Sequence, residues 1–246
     1  MNKMKVIVCE NYEELSNQAA KIVSSQLIVK PNSILGLATG STPIGLYRNL
    51  IEMNQKGEID FSKVKTFNLD EYYPIKKSND QSYDYFMNEQ LFSQVNIDKR
   101  NINIPNGEAT DAEAECARYE SLLDEVGGVD LQILGIGQNG HIAFNEPDEK
   151  LVAVTHLTGL TQNTIEANAR FFESEDEVPK NALTMGMGSI LKAKKIVIMA
   201  NGANKAKAVA ELMDDKISTS NPATMLKVHA DVTLICDKEA FSQVNK

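Results

Sequence analysis

Along the chain, short apolar runs alternate with longer segments in which apolar residues recur at helical spacing. Met4–Cys9, Ser33–Leu37, Val64–Asn68, Val129–Ile136, Lys195–Ala200 and Asp231–Cys236 predict strands. Most of these runs are continuous rather than alternating, which is the pattern of a sheet covered on both faces. Between them, Tyr12–Gln26, Gly45–Asn54, Asp80–Leu91, Asp111–Val126, Thr161–Phe171 and Asn204–Met213 predict helices. In the fourth, Asp111 stands where an N-cap belongs and Gly127-Gly128 acts as a stop. Strand–helix alternation predicts an α/β fold with an open, mainly parallel sheet and helices on both faces. No internal repeat or Pro/Gly/Ser linker interrupts the pattern, so residues 1–246 are expected to form a single domain. The polar, proline-punctuated stretch from Glu146 to Ala182 departs from it. It is expected to be either a helical lid insert, about residues 160–183, or a packed irregular excursion.

Composition narrows the function classes. The 246 residues carry 25 Lys+Arg against 34 Asp+Glu, a formal charge of −9, which argues against a nucleic-acid or anionic-membrane partner. Hydrophobic residues at 42% and charged residues at 24% fit a globular chain. Cys9, Cys116 and Cys236 are far apart and form no C-x-x-C pair, so neither a disulfide framework nor a zinc site is expected. After Lys5 only four apolar residues precede Glu10, too few for a signal-peptide core, and no apolar run has membrane-spanning length. The expected location is cytoplasmic.

In open sheets of this Rossmann-like kind, ligands bind beyond the carboxyl ends of the strands. The second predicted strand runs into Thr39-Gly40-Ser41-Thr42-Pro43 at a helix start. Hydroxyls, free amides and a close-approach glycine there make a phosphate cradle, or the segment is a plain N-cap. No Walker A sequence is present. The third strand ends in Asn68-Leu69-Asp70-Glu71-Tyr72, where one carboxylate is a candidate general base or the segment is a solvated acidic loop. The fourth leads into Gly135–Pro147, in which Gly135-x-Gly137-x-x-Gly140 spells the dinucleotide fingerprint. Pro147 cuts off the helix that fingerprint needs and no acidic strand end follows, so dinucleotide binding is rejected. What remains is His141 with Asn139 before it and Glu146 after it, a group suited to proton transfer near neutrality. His156 and His229 have no such company, and the three histidines show no metal-ligand spacing. Lys205 at a helix start and Arg170 in the expected lid are candidate anion contacts or ordinary surface charges.

These segments, in this order and across essentially the whole chain, resemble the isomerising glucosamine-6-phosphate deaminases. Asn68-x-Asp70-Glu71-Tyr72 and Gly140–Pro147 carry the most specific part of the likeness. The resemblance implies cofactor-free, metal-free conversion of glucosamine 6-phosphate and water to fructose 6-phosphate and ammonia. It implies that Thr39, Gly40, Ser41, Thr42, Arg170 and Lys205 hold the phosphate. Asp70 would move a proton from C2 to C1, His141 would assist ring opening, and Glu146 would orient His141. Asn139 departs from the Asp-Gly-His of better-known members; an amide there can orient the imidazole but brings no charge. The segment Thr155–Gly159 lacks the basic residues of allosterically activated members, so weak or no activation by N-acetylglucosamine 6-phosphate is expected. The same likeness leaves open a monomer or a homo-oligomer. Alternatives are a 6-phosphogluconolactonase-like hydrolase, a deaminase of another amino-sugar phosphate such as galactosamine 6-phosphate, and a non-catalytic sugar-phosphate sensor.

Overall fold

The computed structural model describes residues 4–169 and 177–244. All six apolar runs form strands: β1 (Lys5–Cys9), β2 (Ile34–Leu37), β3 (Lys65–Asn68), β6 (Leu131–Gly135), β9 (Ile196–Ala200) and β10 (Val232–Asp237). With the two-residue β5 (Ile102–Asn103) they make a wholly parallel sheet in the order β1-β10-β9-β6-β2-β3-β5. Successive side chains feed opposite cores, which explains the continuous apolar runs. Val197, Met199 and Ile235 pack with α1 (Tyr12–Val29) and α2 (Ile44–Gln55). Ile196, Ile198, Ala200 and Leu234 pack on the other side with α4 (Ala112–Glu125) and α7 (Ala206–Met213). Each fully buried aliphatic side chain contributes about 1.5–3 kcal/mol. Asp111 caps α4 as expected, its carboxylate accepting from Ala114 N.

A second sheet was not foreseen. β4 (Asp70–Tyr73), β8 (Asn181–Thr184) and β7 (His156–Gly159) pair antiparallel in the order β4-β8-β7. The stretch from Glu146 to Ala182, expected to depart from the strand–helix pattern, holds strand after all: β7 lies inside it and β8 begins there. These strands read Asp-Glu-Tyr-Tyr, Asn-Ala-Leu-Thr and His-Leu-Thr-Gly, without the apolar run or the alternation that marks a strand in sequence. The expected insert does carry a helix, α5 (Gln162–Ala169), and residues 170–176 lie outside the described part. α3 (Tyr83–Gln90) starts later than the expected Asp80 because Ser82 is its cap, accepting from Tyr85 N. The short α6 (Met187–Leu191) follows β8.

The strand order reverses direction between β2 and β6: the chain moves outward to β3 on one side and to β9 and β10 on the other. Loops leaving β2 and β6 therefore diverge across a crevice, where an open α/β sheet binds its ligand.

Candidate active site

A cavity of about 390 Å³ opens at that crevice. Thr39, Gly40, Ser41 and Thr42 line one wall, Asn139 and His141 another, and Asp70 and Lys205 also face it. The sequence-identified residues of the three strand-end loops are thus brought together. Arg170 lies outside the described residues.

The hydroxyl loop is not a plain cap. No side chain caps α2, and Pro43 occupies the flanking position rather than the first helical turn. Thr42 Oγ1 instead donates to Asn201 Oδ1 (2.8 Å) beyond β9. The loop's backbone is braced from α1: Tyr12 Oη contacts the Ser41 and Thr42 carbonyls and accepts from Gly45 N (2.8 Å). Gly40, at φ +89°, takes a left-handed conformation that L side chains resist. Thr39, Gly40, Ser41 and Thr42 thus line the cavity just ahead of α2, an arrangement that suits an anion. Lys205 closes a 3-10 turn (Ala203–Lys205) just ahead of α7.

Asp70 stands where the chain changes sheets. Leu69 N donates to Leu37 O in the parallel sheet while Leu69 O accepts from Met185 N, and Asp70 opens β4. Its side chain is buried, and burial together with the charge of Glu71 pushes its carboxyl well above the usual carboxylate range. Glu71 points the other way. Its carboxylate accepts from the backbone N–H groups of Tyr72 (2.9 Å), Tyr83 (2.8 Å) and Asp84 (2.9 Å), tying β4 to the first turn of α3. Burial raises Glu71 to about 7 against the opposing pull of those three amides. Neither residue is a solvated surface acid.

His141 ends a tight turn in which Gly140 N donates to Gly137 O and Gly137 N to His141 O. The imidazole lies directly on Gly137, where a Cβ would sit 2.4 Å from the ring, so a side chain there would displace the imidazole. Glu146 Oε2 is 3.3 Å from His141 Nδ1, a charge-pair distance without the alignment of a hydrogen bond. Asn139 works differently from expectation. Its Nδ2 donates to Glu146 Oε2 (2.7 Å) and its Oδ1 accepts from the His141 backbone N (3.2 Å), so it contacts the carboxylate and the turn rather than the imidazole. Burial raises the Glu146 carboxyl, but the His141 ring, the Thr164 hydroxyl and the Asn139 amide outweigh it and hold it at about 2. The small sheet props this loop as well: Phe144 N donates to Thr184 Oγ1 (3.2 Å), and Asn145 Nδ2 to Met185 O (2.8 Å).

Sequence reasoning missed Tyr83, Thr164, Asn201 and Asn204 in the cavity wall. Asn201 and Asn204 follow a parallel strand, so the strand-end rule covered them. Tyr83 and Thr164 come from helices flanking the small sheet and carry no motif. The Tyr83 ring stacks on Phe144 at 2° with centroids 6.0 Å apart, and its hydroxyl bonds to Tyr72 and Thr39. His156 and His229 are structural, bonded to the carbonyls of Val154 and Ala193.

The chain is similar to known proteins. A glucosamine-6-phosphate deaminase of Thermoanaerobacter pseudethanolicus is 57% identical over 241 residues, 98% of this chain and 95% of the relative. One from Halothermothrix orenii is 56% identical over 97% of this chain and 99% of its own length. A solved structure of a monomeric glucosamine-6-phosphate deaminase superposes with a TM-score of 0.95 at 47% identity, covering 98% of this chain and all of the other. The 6-phosphogluconolactonase of Thermotoga maritima, at 22% identity over 96% of this chain and all of its own, shares the fold with a TM-score of 0.76. Residues 10–235 match the family described as Glucosamine-6-phosphate isomerases/6-phosphogluconolactonase, and the chain belongs to that family.

Proposed function

We propose that this protein is a glucosamine-6-phosphate deaminase, converting glucosamine 6-phosphate and water to fructose 6-phosphate and ammonia. The observation that carries the reading is that a buried carboxylate, an imidazole and a hydroxyl-rich loop line one cavity. Thr39, Gly40, Ser41, Thr42 and Lys205 hold the phosphate, with Arg170 as a further contact. His141 moves the C1 hydroxyl proton to the ring oxygen, opening the pyranose. Asp70, ionised, takes the C2 proton and delivers it to C1 while an amine proton passes to O1, leaving an imine at C2 that water hydrolyses to the ketone and ammonia. A desolvated carboxylate is a stronger base than an exposed one, so the burial of Asp70 suits that step. Glu146 supports the imidazole electrostatically, and Asn139 holds Glu146. Of the segment of about 160–183, the α5 part serves as a lid, with Thr164 already in the cavity wall, while β8 at its end belongs to the small sheet. The whole chain acts as one cytoplasmic domain, a monomer like its solved relative.

The test is ammonia release by the purified protein. Glucosamine 6-phosphate is expected to react, galactosamine 6-phosphate and 6-phosphogluconolactone far more slowly. Silence with the first substrate overturns the reading.

A further inference from the structure

The two oxygens of the Glu146 carboxylate are held from different parts of the chain. Oε2 faces the Asn139 amide and the His141 ring, both from the loop after β6. Oε1 accepts from Thr164 Oγ1, eighteen residues further on in the first turn of α5. Thr164 is 6% exposed. Its hydroxyl also meets Thr161 Oγ1 at 3.1 Å, and Thr161 Oγ1 accepts from Thr164 N at 3.3 Å. The directions follow from proton counting. A hydroxyl has one proton, an ionised carboxylate only accepts, and so Thr161 donates to Thr164 and Thr164 donates to Glu146. Capping the helix is the work of Thr161; the bond from Thr164 to Glu146 satisfies none of the helix's own amides.

We propose that Thr164 is a positioning residue for the His141–Glu146 pair, its hydroxyl fixing the plane of the Glu146 carboxylate and making α5 part of the site. With donors on Oε2 alone, the carboxylate turns about its terminal torsion, a broad and soft one, and the charge beside the ring is no longer fixed. With Oε1 also held, both oxygens are pinned. The kinetic part of the proposal rests on the deaminase reading; the structural part does not.

Thr164→Val removes the hydroxyl and keeps the branched shape, whereas Thr164→Ser keeps the hydroxyl. Two readouts are needed: kcat and KM with glucosamine 6-phosphate, and the carboxyl-carbon NMR titration of Glu146 in glutamate-labelled protein. Among the described residues, the groups facing this carboxylate are His141, Asn139 and Thr164, of which only His141 has an ionisable side chain in this pH range. For Thr164→Val, kcat is expected to fall about tenfold with KM changed by less than roughly twofold, a loss of orientation rather than of binding. Its Glu146 titration is expected to move up by about one pH unit as a donor to the charged form is lost. Thr164→Ser is expected to restore both. If Thr164→Val matches the wild type in both readouts, or Thr164→Ser is equally impaired, the proposal is overturned. Should the wild type release no ammonia while the titration still shifts in Val and returns in Ser, the deaminase reading falls and the hydroxyl–carboxylate coupling stands.

Discussion

In the seven-stranded sheet, β6, β9 and β10 bury apolar side chains on both faces, and pairing is parallel throughout. In the three-stranded sheet, β4 and β8 bury Asp70, Glu71 and Thr184 beside Tyr72, Ala182 and Leu183, and pairing is antiparallel. The large sheet gains stability from apolar burial and presents loops at its switch point. The small sheet accepts the cost of two neighbouring buried acids, and with it sets Asp70, the α3 anchor and the histidine loop. Two-sided apolar burial and paired buried acids are thus found in different sheets that meet at Leu69.

The sharpest way to break that division is Asp70→Asn. Activity is expected to fall by roughly 10³-fold, as for loss of a positioned general base. Stability is expected to move the other way. The folded-state carboxyl of Asp70 is raised, so below about pH 4 it is protonated in both folded and unfolded chains and has little effect. As pH rises, the unfolded chain ionises freely while the folded one resists, and stability falls until the folded pKa is passed. Asp70→Asn removes that cost, so thermal melts at pH 7 should show a higher Tm than the wild type, with the gap closing near pH 4. A lower Tm at pH 7 contradicts the assignment of strain to the small sheet.

Glu71→Gln probes the same sheet more gently. Burial and then the Glu71 charge raise Asp70, with Tyr83 from α3 and Tyr119 from α4 also facing it. Removing the Glu71 charge lets Asp70 ionise at lower pH, so the acid limb of kcat/KM should shift downward by about half a pH unit to one unit. The α3 amides lose part of their acceptor, and kcat should fall by about tenfold. A limb that stays in place contradicts the electrostatic coupling.

The control lies in the large sheet. Ile198→Val, in the middle of β9, should cost about 0.5–1.5 kcal/mol in denaturant unfolding and leave kcat unchanged. Loss of activity without loss of stability there would blur the comparison.

The same division explains what could be read from the chain. Strands such as Ile196–Ala200 are visible because two-sided burial demands unbroken apolar runs, and their loops are visible because ligands bind at strand ends. Asp70, His141 and Glu146 were legible as candidates, and the fold places Asp70 and His141 in one cavity with Glu146 beside the His141 ring. β4 was not legible as a strand, because its buried residues are acids whose partners, the amides of α3, lie twelve or more residues away. Asn139 was legible as a candidate and lines the cavity, but its target was not legible, since a two-residue spacing does not say whether an amide faces the ring or Glu146. Tyr83 and Thr164 enter the cavity through helix placement, which only the folded small sheet determines.

The central claim is that Asp70 carries the proton from C2 to C1. Glucosamine 6-phosphate deuterated at C2 tests it most directly, with the label followed by NMR in ordinary water. The wild type should form fructose 6-phosphate carrying part of the deuterium at C1, the rest lost to solvent by exchange from the carboxyl. Asp70→Asn should leave the deuterium at C2 of unreacted substrate while binding it with near-normal affinity. Transfer or washout of that deuterium by Asp70→Asn at the wild-type rate would contradict the account.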